Sequence, residues 1–557
     1  MMKVTSSRAF AKHCEHCAAP PRRVWWDVRV PNPGLLLAAL LASLGIALPV
    51  LYLAVRAAQG GASTWEWLLS GRLPLLVGRT MLLAGATTLL AVALALPLAW
   101  LVSRTDLPGR TWLTWIAALP LVFPPYVGAF AFITLFGPRG SLEKVLARLW
   151  GVPGHQIELP SIYSLPGAVL VLALFTYPYL YLLLGSALRG GNQALEEAAR
   201  SAGLSPARVF WRVTLPLLRP ALAAGALLVA LYALSDFGAV AMLRVETFTS
   251  AIYFQLRGRF DRSAAAALST VLLVMTMLLL WLEERMQRQG ARYYQTSSQW
   301  RPVRPVALGP WKWPATLFAW GVALVAVGLP VGMLGYWAVQ GMQDGLFSAD
   351  VLQYVGNSVV SAGGAALLAT VLAFPVAYLA ARFPGALSRG LFRFAYTGYA
   401  LPGVVVALAV IFFFHTYVYP FYGTVWAMLA AYVIRFLPQS LGATHSGLQA
   451  LSPSLEDAGR SLGLGAFGVL RRITLPLIAP SLITGGALVF LNTLKELPAT
   501  LLLRPAGFDT LAVRVWIQAD EGFYARAAPA ALLLVLLAAI PMSLLLRRIF
   551  QGRARLS

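Results

Sequence analysis

The sequence predicts an all-α integral membrane protein with about twelve transmembrane helices in two parallel-related halves. Three observations carry this prediction: the composition, a series of apolar runs of bilayer-spanning length, and an internal repeat. Of 557 residues, 59% are hydrophobic and 12% charged, whereas soluble domains are roughly 45–50% apolar and about 25% charged. Mean hydropathy is +0.71. Disorder and collagen are excluded on the same grounds. The two cysteines, Cys14 and Cys17, lie too close together to staple a fold of this size.

The first apolar run, 34–55, is too long for a signal-peptide core of about 7–15 residues and long enough to span a bilayer. Residues 1–33 read as a cytoplasmic N-terminal tail. Further runs fall at 81–102, 111–136, 164–187, 219–243 and 264–282, which complete a first half at 34–285. After a linker at 286–313, a second half at 314–557 holds runs at 314–338, 357–380, 391–415, 421–441, 479–503 and 527–546. Each accommodates about 20 helical residues, the length that a hydrocarbon layer of roughly 30 Å requires. The runs are continuous rather than alternating, which argues against a β-barrel.

Twelve spans place both termini on one side. With that side cytoplasmic, 27 Lys and Arg fall in inside segments and 13 in outside segments; Arg219, Arg393, Arg435 and Lys495 fall within the drawn spans. Positive charge is retained on the cytoplasmic face, so the formal charge of +23 is mostly a topology signal. The expected location is therefore the cytoplasmic (inner) membrane, with the lipid bilayer as a partner. Nucleic acid is not an expected partner, because no basic soluble domain exists to bind it.

The repeat is the most informative feature. Glu196–Pro220 and Glu456–Pro480 match at an offset of 260 with 13 of 25 positions identical. Gly78–Arg104 and Gly356–Arg382 match at an offset of 278 with 12 of 27 identical, including Pro97 and Pro375. Leu119-Pro120 and Leu401-Pro402 form a shorter third match. An even number of spans separates the copies, so both have the same orientation, and a substrate path would run along the pseudo-two-fold axis between them.

The best-conserved copies lie in cytoplasmic loops, 188–218 and 442–478. Each reads as a short helix, a glycine stop and the entry to the next span. In the first, Leu195, Ala199 and Ala202 can share one face. Such a helix suits either docking into a partner or resting on lipid headgroups.

These loops resemble the signature of ATP-binding-cassette importer permeases: Glu-Ala-Ala, three residues, Gly, nine residues, then Ile-x-Leu-Pro. The first copy has Glu197-Ala198-Ala199, Gly203 and Val213-Thr214-Leu215-Pro216. The second has Asp457-Ala458-Gly459, Gly463 and Ile473-Thr474-Leu475-Pro476. The resemblance implies the type I (MetI-like) importer permease fold, with both loops forming coupling helices that dock on an ATPase. Glu197 and Asp457 would lie at that interface, with Glu196, Ala198, Glu456 and Ala458 beside them and Gly203 and Gly463 as the turns. Val213, Asp457 and Gly459 depart from the pattern. No lysine lies in a G-x-x-x-x-G-K-[ST] loop. The chain is therefore expected not to be an enzyme, to bind no cofactor, and to rely on separate ATPase subunits, two copies, that use the ATP. The resemblance also implies a solute-binding protein.

Charge inside the membrane is costly and marks function. Asp236 and Glu496 are related by the 260 offset, each 16 residues beyond the proline that opens its span, about 24 Å up a helix. Arg244 and Arg504 follow, also matched, and Lys495 adjoins Glu496. Two carboxylates on a central path would attract a hard cation; equally, each can be neutralised by a nearby Arg or by Lys495 and serve packing or gating. Ser235-Asp236-Phe237-Gly238 and Lys495-Glu496-Leu497-Pro498-Ala499-Thr500 resemble the ferric-iron branch of these permeases, as does the fusion of two halves. Thiamine, phosphonate and polyamine permeases are the alternatives within the family. An ion-coupled secondary transporter is the alternative from another class, and the repeated docking loop argues against it. His13-Cys14-Glu15-His16-Cys17 lacks the separated ligand pairs of a zinc site, and His415 and His445 read as structural.

Overall fold

The computed structural model describes residues 32–551, except 62–64, 67, 154–155, 158, 191–192, 257–261, 291–304 and 347–349. The His13–Cys17 run and half of the linker, residues 291–304, lie outside the described residues. The first half comprises α1 (Pro33–Gln59), α2 (Leu73–Arg104), α3 (Arg110–Ile116), α4 (Pro125–Phe136), α5 (Ser141–Trp150), α6 (Leu165–Gly190), α7 (Gln193–Ser201), α8 (Leu215–Ser235), α9 (Gly238–Met242), α10 (Phe248–Phe254) and α11 (Arg262–Gly290). The second comprises α12 (Lys312–Ala323), α13 (Leu329–Gln343), α14 (Val351–Arg382), α15 (Ala386–Tyr396), α16 (Gly403–Tyr417), α17 (Val425–Ala450), α18 (Pro453–Ser461), α19 (Leu475–Leu494), α20 (Pro498–Leu503), α21 (Leu511–Asp520) and α22 (Tyr524–Gln551).

Among the described residues, nine helices are long and apolar enough to cross a membrane, and these correspond to nine of the twelve apolar runs. The other three differ for identifiable reasons. The run 111–136 is not one helix: the chain bends by 96° between Arg110–Val122 and Pro125–Trp150. Pro124 and Pro125 donate no N–H, and Phe123, which precedes a proline, is extended. The run 391–415 breaks in the same way, at Leu401-Pro402, which leaves an amphipathic α15 and a short apolar α16. Arg393 therefore sits exposed on α15 rather than in a span. The run 421–441 becomes α17, 26 residues long. Much of its surface is buried by protein, so it can carry Arg435 and Gln439 where a lipid-facing helix could not. The breaks also correct the short repeat match. Leu401-Pro402 corresponds to Phe123-Pro124, because Pro124 (φ −62°, ψ 137°) and Pro402 (φ −60°, ψ 140°) both cap a helix, whereas Leu119-Pro120 lies in a 3-10 turn.

Prolines punctuate both halves alike. Pro97 and Pro375, Pro178 and Pro438, and Pro220 and Pro480 lie inside matched helices. Three π turns, Phe210–Thr214, Leu324–Gly328 and Leu470–Thr474, each end two residues before a proline. The proline ring clashes with the carbonyl four residues back and supplies no N–H, so the ladder shifts register there.

The first helix of each half crosses to the other. Ala39, Ala42 and Ile46 of α1 join a core with Ala365, Ala369 and Val406, and Tyr52 hydrogen-bonds Thr416 at 3.1 Å. In return, Ala319, Ala323 and Leu334 join the first-half core around Leu98 and Phe130. The end of the linker is tied back to the first half: Val306 pairs with Thr105, Leu308 N–H donates to Asp106 at 3.0 Å, and Lys312 lies 3.6 Å away. The Leu308 amide, with help from Lys312, holds the Asp106 carboxyl below its ordinary value.

Candidate functional site

Three chain breaks meet in the interior. The start of α4, the gap between α8 and α9, and the gap between α19 and α20 enclose a cavity of about 40 Å³, space for about three waters at roughly 10–15 Å³ each. Its polar lining is Asp236, Glu496, Lys495, Arg435, Tyr126, Tyr232 and Ser235. The runs 219–243 and 479–503, expected as single helices, stop at Ser235 and Leu494, so both carboxylates lie at helix breaks rather than within helices.

Each carboxylate caps the helix that follows its break. Asp236 Oδ2 accepts from the N–H groups of Ala239 (3.0 Å) and Val240 (3.3 Å), and Glu496 Oε1 accepts from Ala499 at 3.2 Å. The free N–H groups and positive dipole end of a helix N-terminus favour a negative charge there. The Asp236 carbonyl accepts from the Thr249 hydroxyl of α10 at 2.6 Å, and the Glu496 carbonyl accepts from the Thr500 hydroxyl one turn on at 2.7 Å.

Asp236, Glu496 and Lys495 thus line one cavity. Arg244 and Arg504 do not line the cavity. Arg244, at φ 56°, lies over the Tyr163 ring, 5.2 Å from its centroid, and Arg504 pairs with Asp509. The symmetry ends at the counter-ion. Glu496, 5% exposed, is paired with Arg435 of α17, whereas Asp236 has no salt bridge among the described residues. Lys495 Nζ donates to the Leu121 carbonyl of the other half at 2.9 Å. Arg435 was present in the sequence as a charge inside a drawn span, but nothing local named its partner. Its counterpart at the 260 offset is Phe175. Tyr126 carried no signal among so many aromatics.

The two repeated loops also show a shared plan. Glu196 accepts from Arg104 Nη2 (3.3 Å) and the Thr214 hydroxyl (3.0 Å). Glu456 accepts from Arg382 Nε (3.1 Å) and Nη2 (3.3 Å), the Thr474 hydroxyl (3.0 Å) and the Tyr378 hydroxyl (3.4 Å). Both glutamates are buried. They do not belong beside Glu197 and Asp457 on an outer face; they anchor α7 and α18 to the ends of α2 and α14. The outer faces instead present Leu195, Glu197, Ala198 and Ala202, and Leu455, Ala458 and Leu462, with Asp457 half-buried. Ala199 is half-buried rather than on that face. Gly203 (φ 84°) and Gly463 (φ 87°) make the left-handed turns that the pattern predicts.

Two departures from the loop signature compensate each other. A Cβ on Gly459 would strike the Ile473 Cδ1 atom; the first copy pairs Ala199 with Val213, which has no such atom. Gly459→Ala should therefore be better tolerated, by about 1 kcal/mol, when Ile473→Val is present. Thermal unfolding of the two single variants and the double variant measures this, and strictly additive shifts would refute it.

The family described as binding-protein-dependent transport system inner membrane component matches residues 91–289 and again 373–555. An Fe(3+)-transport system permease protein of Haemophilus influenzae is 33% identical over 94% of this chain and 100% of its own length. A ferric transport system permease protein of Actinobacillus pleuropneumoniae is 25% identical over 81% of this chain and 67% of its own. A molybdenum transport system permease protein of Escherichia coli is 31% identical over 34% of this chain and 82% of its own.

Proposed function

The chain belongs to the binding-protein-dependent transport system inner membrane components, and from that premise we propose that it is the membrane-spanning subunit of an ATP-driven importer for ferric iron. The observation that carries the substrate is the 33% identity, across nearly the whole chain, to a relative named for Fe(3+) transport. The permeases named for molybdenum and sulfate transport match only about a third of it. The chemistry of the cavity agrees, because carboxylate and phenol oxygens suit a hard cation. Asp236, Glu496 and Lys495 stand at the closed waist of the path, and Arg244 and Arg504 lie off it.

In this reading a solute-binding protein delivers iron to the outer face. Two ATPase copies dock beneath α7 and α18, both termini are cytoplasmic, and the chain uses no cofactor of its own. ATP-driven closure of the ATPases pulls on the two loop helices. Glu196 and Glu456 pass that pull to α2 and α14, and the helices around the cavity part.

Reconstitution with the ATPase and binding protein tests the substrate: ATP-dependent uptake of ferric iron is expected, and uptake of thiamine or phosphonate in its place would sink the assignment. Docking is tested by Glu197→Lys with Asp457→Lys. An unfavourable charge contact costs several kcal/mol, so uptake should fall at least about tenfold. The fold should be retained, since Glu197 is exposed and Asp457 forms an exposed pair with Arg460. Undiminished uptake would refute the docking role.

A further inference from the structure

Resting on the importer reading above, we propose that Phe237, Tyr253 and Trp516 form the outer gate of the transport path and hold it shut in this structure.

The repeat places these rings on the axis between the halves. Beyond Arg244 and Arg504 the second copy is three residues longer, so the offset becomes 263. At that offset Thr247 matches Thr510, and both are the N-caps of their helices, α10 and α21. Tyr253 then matches Trp516, and Gln255 matches Gln518, both glutamines being buried. The Tyr253 and Trp516 ring centroids lie 6.0 Å apart. Residues related by a two-fold touch each other only where they meet at the axis, and a path between parallel halves follows that axis. Phe237 joins the pair. Its ring lies 4.6 Å from that of Tyr253 and 5.9 Å from that of Trp516, and it also lines the cavity that holds Asp236 and Glu496.

The rings stand on the outer side of that cavity. α8 and α19 rise from the two repeated loops and end at it, and α10 and α21 come later in the chain, just before α11 and α22 begin the return crossing. Phe237, Tyr253 and Trp516 are 1%, 7% and 9% exposed, so the seam is closed. Large apolar rings in mutual contact exclude water and any hydrated charge. Phe237 and Tyr253 belong to the first half and Trp516 to the second, so the halves cannot part on this side without breaking the contact. Two more contacts cross the same seam. Tyr524 of the second half stacks on Phe130 of the first at 5.7 Å, and Arg244 of the first lies close enough to Asp520 of the second to act on its charge. The closure is also reversible. The Trp516 indole N–H has no hydrogen-bond partner among the described residues. A buried unpaired donor is unfavourable, and water pairs with it once the seam opens, which lowers the work of opening.

The test uses the full chain assembled with its ATPase and binding protein in proteoliposomes. Cys14→Ser with Cys17→Ser removes the native thiols, and Tyr253→Cys with Trp516→Cys then places one thiol on each side of the gate. Joining them with a short bis-thiosulfonate should abolish ATP-driven uptake of ferric iron, and cleaving the bridge with a reductant that is then washed out should restore it. Trp516→Ala gives a second readout. A weaker seam parts more easily, so ATP hydrolysis without the binding protein should rise about tenfold, the equivalent of roughly 1.4 kcal/mol; a residue that served the fold alone would lower hydrolysis when removed. Trp516→Phe keeps a ring and should leave hydrolysis at or below the wild-type rate. If Trp516→Ala fails to fold, Tyr253→Ala weakens the same contact from the other half and should raise hydrolysis in the same direction. Undiminished uptake after cross-linking, or no rise in hydrolysis on truncating the rings, overturns the gate while leaving import by the wild type intact. Absence of ATP-driven uptake by the wild type overturns the functional reading and the gate with it.

Discussion

Glu456→Ala is expected to cost about 3–5 kcal/mol of stability and to uncouple transport, the largest effect of any single change in the loops. The Glu456 side chain is 2% exposed and Arg382 is 9% exposed. Truncating the glutamate leaves a guanidinium buried at the end of α14 with only the Leu451 carbonyl, 3.2 Å away, as a remaining acceptor. It also removes the acceptor for Thr474, the residue at which the π turn passes into α19. One residue thus ties the loop helix to the spans on either side of it, and on the proposed coupling role its loss should uncouple the two. Glu196→Ala should be milder, because Arg104 contacts Glu196 through a single nitrogen at 3.3 Å. Thermal unfolding of the purified chain and ATP-driven uptake in proteoliposomes measure the two effects. Wild-type unfolding and uptake in Glu456→Ala would remove the anchoring role.

Gly403→Val is expected to abolish transport and to cost at least about 1–3 kcal/mol from overpacking. A Cβ at this position would lie 2.5 Å from Arg435 Nη1 and 2.9 Å from the Pro498 ring, and closer still to Glu496. The guanidinium and carboxylate can move, but only by parting from each other, and the proline ring cannot. A β-branched side chain there wedges the ion pair apart and fills the space beside it. Pro125 occupies the matched position in the first half, where no guanidinium competes for the space, so Pro125→Val should be tolerated far better. Comparable uptake by Gly403→Val and Pro125→Val would show that the glycine is not needed to admit the pair.

Most of the fold was legible because lipid imposes a simple length-and-polarity rule on any helix that faces it. Nine of the predicted spans obey that rule. The three that do not lie at Pro124-Pro125, at Leu401-Pro402 and along α17; α4, α16 and α17 are largely buried by protein, where backbone polar groups and Arg435 find partners and the rule does not apply. The loop helices were legible because their glycine turns and periodicity are local. The direction of Glu196 and Glu456 was not, since it depends on Arg104 and Arg382, 92 and 74 residues away.

By itself the sequence determined that the chain is a membrane protein, that it is built twice in the same orientation, and that Asp236 and Glu496 are equivalents. Those properties follow from composition, run length and spacing, all of which are local or periodic. Only the tertiary structure decided that both carboxylates sit at helix breaks on one cavity, that Arg435 pairs with Glu496, and that the buried Tyr126 hydroxyl has no hydrogen-bond partner among the described residues. Those facts depend on which residues 60 or more positions apart are brought within hydrogen-bonding distance, and no periodicity along the chain encodes that.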